Sequence, residues 1–272
     1  MPVLARVSRI TRYPVKACAP ELLDEAVLGA AGLAHDRELA VVEGDRVLTQ
    51  REAPALALVQ PRLDDASGEL QLSWRGTDAP APVTGVVSTT GPRRDVLLFG
   101  KPAAVVDQDP ALGDWLGRLL GRDVRLVAAP GSTRRTSPGE VEGLTVLADE
   151  GTVSLHSEAS LAELGDRLLD AGSEPLGPDR FRANLVVTGC PPHAEDEARR
   201  LEVGPVVLRF AQQDARCAVT MVDQDRGEKD GPEPIRTLST YRRSVDGDVV
   251  FGVFLAVETG GVVRVGDPVS MT

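Results

Sequence analysis

Cysteine is scarce in this chain: three residues, Cys18, Cys190 and Cys217, an odd number with no short-range pairing. That excludes a small secreted disulfide scaffold and points to free thiols in a reducing compartment. Long apolar runs are lacking as well. The stretch "FGVFLAV" (251 to 257) falls far short of the roughly 20 residues that span a bilayer. The opening "MPVLARVSRITRYPV" is interrupted by Arg6, Arg9 and Arg12, so it has no signal-peptide core. A soluble cytoplasmic protein with no membrane partner is expected. Positive charge is short too, with 30 Lys and Arg against 41 Asp and Glu and a formal charge of −11. Such a balance argues against nucleic acid as a partner. It leaves room for a local basic pocket, because a phosphate is read by two or three placed cations. The three histidines, His35, His156 and His193, show no HExxH spacing, and no CxxC occurs, so a zinc centre is not indicated.

What is present is a series of short β-like runs broken by Gly, Pro and Asp. "RELAVVEGDRVLTQ" (37 to 50) predicts a hairpin around Glu43-Gly44-Asp45, and "DVLLFGKPAAVVD" (95 to 107) another around Gly100-Lys101-Pro102. Further strands are expected at 184 to 189, 205 to 210, 217 to 222, 249 to 257 and 261 to 265. Two helices stand out. Residues 110 to 121 place Leu112, Trp115, Leu116 and Leu119 at helical spacing between Pro110 and Gly121. Residues 157 to 172 offer Ser157 as N-cap and Leu161, Leu164 and Leu168 on one face. The stretches 76 to 93 and 129 to 143 lack apolar periodicity and read as loops. No internal repeat is evident. The pattern predicts a mainly β (α+β) chain, of sandwich or barrel architecture, in two β-rich units, 1–122 and 123–272, with a flanking helix.

The stretch "AQQDARCAVTMVDQDRG" (211 to 227) raises the question of chemistry. Cys217 reads from its residues alone as core filler, nucleophile or metal ligand. Arg216 favours the thiolate where its guanidinium lies near the sulfur. Adjacent strand residues face opposite ways, however, so only a bulge or loop puts both in one site. Lys16 follows Pro14, and Arg37 follows "GLAHD", each beside a strand. In "GPDRFRANLVV" (177 to 187), Arg182 and Asn184 share parity on an extended segment and so point to one face.

"YPVKAC", "GLAHDRELAVVEGDRVLTQRE", "SEASLAEL", "FRANLVVTG", "ARCAVTMVDQDRG" with "EPIRTLSTYRR", and "FGVFLAVETGGVVRVGDPV" occur in the order seen in MOSC proteins. The chain resembles that family over nearly its whole length, in the subgroup with an N-terminal MOSC β-barrel domain that includes the amidoxime-reducing component. The resemblance implies an N-terminal MOSC-associated β-barrel and a C-terminal MOSC barrel. It also implies a molybdenum cofactor, Mo-molybdopterin, with Cys217 as metal ligand and catalytic centre and no use of pyridoxal phosphate. Lys16, Arg37, Arg182, Asn184, Arg216 and Phe254 match positions that contact that cofactor. Convergent cations suit its phosphate and anionic dithiolene, and a soft thiolate suits a metal already bound by sulfur.

The implied activity is an oxidoreductase acting on small N-hydroxylated compounds. No iron-sulfur motif accompanies the few cysteines, so electrons are expected from a separate ferredoxin- or cytochrome b5-like protein and its reductase. The alternatives are a persulfide carrier acting through Cys217 and a non-catalytic cofactor carrier; a monomer is expected. Departures from the family pattern are Ala17 for serine, Ala183 for proline, Asp214 and Ala215 for cysteine and serine, and Phe254 for tyrosine. Cys190 has a family counterpart with a candidate substrate-side role, Cys18 is expected to pack, and Asp223 is expected either to line the pocket or to cap a turn.

Overall fold

Alternation of apolar and polar residues builds the first strand, Val3–Arg12, in which Ala5, Val7 and Ile10 are buried while Leu4 and Arg6 face solvent. In the computed structural model, which describes residues 3–136 and 139–272, this strand is a stave of a closed seven-stranded barrel. Its neighbours are Pro268–Met271 on one side and Leu185–Thr188 on the other. The barrel continues through Val153–Ser157, Val250–Thr259, Val206–Ala215 and Arg200–Val203. Its interior holds Val7, Leu155, Leu185, Leu208, Val253, Leu255 and Val269, all essentially inaccessible to water.

A second, five-stranded barrel is formed by Arg93–Leu98, Lys101–Asp107, Val124–Ala128, Leu39–Glu43 and Arg46–Val47. Ala40, Val42, Val96, Val105 and Val127 fill it. The helix Pro110–Leu120 covers one side with Leu112, Trp115 and Leu116. Asp109 caps that helix by accepting from the Ala111 N–H at 2.9 Å, and Gly121 ends it at φ +64. Ser157 caps the second predicted helix, Glu158–Asp170, accepting from the Ser160 N–H at 3.0 Å.

The strands of the first segment are not confined to one barrel. Val3–Arg12 belongs to the larger barrel and Val124–Ala128 pairs along Leu39–Glu43 in the smaller one, so the chain crosses between barrels near each end of the first segment. Several local expectations also change. Residues 83–86, read as loop, form a third strand beside Glu69–Trp74, since Val83 packs despite its Pro and Gly neighbours. Arg134–Arg135, also read as loop, pairs with Leu144–Thr145; residues 137 and 138 of that stretch lie outside the described residues. The strand expected at 217 to 222 is instead a short 3-10 turn, Ala218–Met221, followed by a brief bridge.

The second hairpin turns one residue earlier than expected. Leu98 pairs with Lys101, leaving Phe99 at φ +50 and Gly100 at φ +77 as a two-residue loop. Left-handed geometry at both positions suits Asn-Gly or Gly-Gly, and a bulky residue held there costs on the order of 1 kcal/mol or more. Near the start of the Val250–Thr259 strand, Gly252 stands at φ +72, and a Cβ there would meet the Leu155 carbonyl oxygen at 2.5 Å. Register shifts between Phe210 and Gln212 and between Gln213 and Ala215 bend the paired Val206–Ala215 strand at the same level. These bulges aim the end of that strand at the junction of the two barrels.

Candidate functional site

After leaving the first strand, the chain runs Tyr13-Pro14-Val15 across to the smaller barrel. The Lys16 N–H donates to the Leu39 carbonyl at 2.8 Å, and the Arg37 N–H to the Tyr13 carbonyl at 2.7 Å. These two backbone bonds bring Lys16 and Arg37 to one place. The loop before Leu185–Thr188 brings Arg182 and Asn184, and the end of Val206–Ala215 brings Asp214, Arg216 and Cys217. Together with Arg51, Asp149, Glu150 and Phe254 they line one open cavity whose empty space, mouth included, is about 910 Å³. Every sequence-predicted site residue, Lys16, Arg37, Arg182, Asn184, Arg216, Cys217 and Phe254, is on its wall.

Cys217 reaches the wall because the strand stops at Ala215. Thr220 folds back on the Cys217 carbonyl through its N–H at 3.1 Å and its hydroxyl at 2.9 Å, which makes the 3-10 turn and frees Arg216 and Cys217 from strand alternation. The thiol itself is half-buried. Arg51 is its cationic neighbour: burial opposes the charge on that guanidinium, yet attraction to the Cys217 sulfur and to the Asp149 and Glu52 carboxylates holds its pKa above the ordinary value.

The remaining cations have distinct duties. Arg37 is paired with the Asp36 carboxylate and donates to Asn184 Oδ1 at 3.2 Å and to the Arg182 carbonyl at 2.8 Å. Arg182 donates to the Cys18 carbonyl at 2.8 Å through Nη1, while its Nη2 is buried without a partner. Both guanidiniums stand over the buried Tyr13 ring, with their central carbons 4.4 and 4.2 Å from its centroid. Ala17, Arg37 and Arg182 all adopt left-handed backbone, at φ +68, +52 and +52. Strain of this kind persists where surrounding contacts over-determine it, and it gathers at functional sites.

Lys16 is buried and ion-paired with Asp149. Burial drives the lysine pKa below its ordinary value against the pull of Asp149. For Asp149 the balance reverses: desolvation opposes its charge, but Lys16 outweighs it and the carboxyl is held below its usual range. Arg216 is engaged by the protein, donating from Nε and Nη2 to the Phe251 carbonyl at 2.8 and 2.6 Å and from Nη1 to the Phe181 carbonyl at 2.9 Å. Its Nη2 also lies 2.8 Å from Asp214 Oδ2. Desolvation nevertheless pushes the buried Asp214 carboxyl up to about 7, since one spent guanidinium offsets it only in part and Glu150 and Asp149 repel it.

Asn184 joins strands as much as it faces the cavity: Oδ1 accepts from the Ser154 N–H at 3.1 Å, and Nδ2 donates to the Thr11 carbonyl at 3.2 Å. Phe254 lies against Gly151, where a Cβ would meet the ring at 2.0 Å. Arg51, Asp149 and Glu150 were not singled out by sequence reasoning. Arg51 lies within the quoted "VLTQRE" run, whose proximity to "VKAC" across the barrel was the signal to use; Asp149 sits in an irregular loop with no such signal. The other candidates lie elsewhere. Cys18 is buried beside the site with its thiol pushed up to about 12 by desolvation, Cys190 packs in the larger barrel, and Asp223 caps a turn by accepting from the N–H groups of Asp225 and Arg226, both at 2.8 Å.

Residues 143–270 match the family model described as the MOSC domain, and residues 4–123 match the MOSC N-terminal beta barrel domain. A mitochondrial amidoxime reducing component 2 of Bos taurus is 31% identical over 282 residues, covering 97% of this chain and 82% of that one. Mitochondrial amidoxime-reducing component 1 of Homo sapiens is 30% identical over 283 residues, with the same coverage of both. A molybdenum cofactor sulfurase of Arabidopsis thaliana is 30% identical over 270 residues, 92% of this chain but 32% of the sulfurase. The chain therefore spans about a third of the sulfurase's length.

Proposed function

The chain belongs to the MOSC family, with the N-terminal MOSC barrel ahead of the MOSC domain, and from that premise we propose that it holds a molybdenum cofactor in the cavity between its barrels and reduces N-hydroxylated compounds. The observation that carries this reading is the buried Arg182 Nη2, an N–H donor without a partner, on the same cavity wall as the Cys217 sulfur. A buried unpartnered guanidinium nitrogen is costly unless an anion meets it. Phosphate or dithiolene supplies one, and Arg37 beside it adds a second positive charge. Among the described residues no group of three or more His, Cys, Asp or Glu encloses a metal ion. A metal taken by Cys217 therefore arrives with its other donors in place, as a pterin-bound metal does.

When bound, such a cofactor supplies two-electron oxygen-atom transfer. The residues do the rest. Cys217 presents its sulfur to the metal from the same cavity wall that carries Arg51. Arg182 and Arg37 orient the anionic end, fixed in turn by Tyr13, Asp36 and the Cys18 carbonyl. Asp214, its carboxyl pushed up to about 7, exchanges a proton on the cavity wall near neutral pH. The net reaction takes an amidoxime, two electrons and two protons to the amidine and water. The N–O bond breaks, nitrogen is reduced, and the electrons come from a separate carrier protein.

Protein made in a cofactor-competent host is expected to contain approximately stoichiometric molybdenum and pterin and to reduce benzamidoxime when fed electrons. Its absence in loaded, electron-fed protein would overturn the reductase reading. Intact mass separates the carrier alternative, which adds one sulfur to Cys217 and needs no molybdenum. Arg182→Gln is expected to loosen cofactor retention roughly ten- to a hundredfold, the ~1.5–3 kcal/mol of a hydrogen bond to a charged group. Molybdenum content after dialysis of the variant against the parent measures it.

A further inference from the structure

Phe99 has no evident reason of folding to be where it is. The chain has five phenylalanines in 272 residues, yet one is placed 49% exposed at the tip of the Arg93–Asp107 hairpin. Its backbone is left-handed at φ +50, in a two-residue turn that glycine or asparagine fits without strain. A residue chosen for stability would be smaller and more polar. What the ring does have is a position. The Lys16 ammonium stands 5.3 Å and the Arg51 guanidinium carbon 5.4 Å from its centroid, and both residues line the cavity. Arg51 in turn shares the cavity wall with Cys217.

We propose that Phe99 is a specificity-determining residue, a stacking platform at the mouth of the cavity that selects N-hydroxylated substrates carrying a flat aromatic group. This rests on the reductase reading of the same site. Arg51 lies against the ring and shares the cavity wall with Cys217, so a substrate that meets the ring is led along that side chain toward the sulfur. The aryl group lies offset against the Phe99 ring while the N–OH end passes Arg51 toward Cys217. Two cations over the Phe99 ring withdraw its π density, which improves offset stacking with a further ring and does nothing for an alkyl chain. The ring's contacts with Lys16 and Arg51 place it beside two residues of the cavity wall.

The test compares benzamidoxime with acetamidoxime, which differ by phenyl against methyl, on the cofactor-loaded full chain and its Phe99→Gly and Phe99→Trp variants. Phe99→Gly is expected to raise KM for benzamidoxime roughly fivefold to tenfold, the scale of one lost aromatic stack. It leaves KM for acetamidoxime, kcat and molybdenum content within about twofold. Phe99→Trp keeps the preference. Phe99→Gly also melts no lower than the parent, because glycine takes φ +50 freely. An unchanged ratio of KM values overturns the platform. So does a melting temperature several degrees lower, which makes the ring part of the fold, or a defect confined to electron delivery from a protein donor, which makes the tip a docking point. If the parent reduces neither compound, the reductase reading fails by itself. The platform is then read from calorimetric Kd values for the same two ligands, and equal ratios in parent and Phe99→Gly overturn it.

Discussion

Cys217→Ser is expected to leave the melting temperature of the cofactor-free protein within a degree or so of the parent while kcat/KM for benzamidoxime falls at least ~10³-fold, about 4 kcal/mol of transition-state stabilisation. The fold is indifferent because the local turn is held by the Cys217 backbone carbonyl, which accepts from both the N–H and the hydroxyl of Thr220, and not by the sulfur. Chemistry is not indifferent. Serine offers a hard oxygen that stays protonated at neutral pH, where a metal already ligated by sulfur prefers a soft thiolate. Molybdenum content is expected to fall with activity, while the pterin, held by Arg182 and Arg37, is lost less completely. Cys190→Ser serves as the control and retains activity, since that thiol lies in the larger barrel's core away from the cavity wall. Retention of both metal and turnover in Cys217→Ser would remove the central assignment.

The site was legible from the sequence to the extent that it is carried by short motifs. Lys16, Arg37, Arg182, Asn184, Arg216, Cys217 and Phe254 come from distant segments, and only the family likeness linked them; no periodicity brings residue 16 to residue 217. Local rules served where one element is stabilised by itself, as in the helix between Asp109 and Gly121. They failed where tertiary contacts decide. The β-branched run after Cys217 reads as strand, but the Thr220 hydroxyl competes for the Cys217 carbonyl and a 3-10 turn results. The strand Val3–Arg12 is evident from its alternation, yet nothing local says that it closes the barrel built by the far end of the chain. Arg51 escaped notice because its partner is a sulfur far along the sequence.

Asp214→Asn is expected to stabilise the cofactor-free protein at pH 8 by up to roughly 4 kcal/mol, and not at all at pH 4. In the folded chain the Asp214 carboxyl is pushed up to about 7 by desolvation, against a value of 3.8 when solvated. Between those values the folded state binds the proton more tightly than the unfolded one, so unfolding free energy declines as pH rises. The stability supplied by the protonated form is complete below about pH 4 and is lost as pH passes through 7. Three units at 1.36 kcal/mol each set the scale. Groups facing the carboxyl are Arg216, which favours its charge, and Glu150 and Asp149, which oppose it; Arg37 lies farther off and helps slightly.

Asparagine keeps the shape and still accepts from Arg216 but cannot ionise, so the alkaline loss disappears. His156 gives the opposite slope: fully buried with Nε2 unpartnered, its pKa falls to about 4 by desolvation, and the stability of its neutral form is lost as pH drops from 6.5 toward that value. That term is common to both proteins and cancels in their difference. Melting curves of parent and variant between pH 4 and 8 decide the matter. Parallel curves mean the carboxyl is solvated in the free protein. Divergence that grows from about pH 4 to pH 7 means the chain maintains, at a cost to its own stability, a proton-holding carboxyl on the cavity wall three residues before Cys217, where reduction of an N–O bond to water requires two protons.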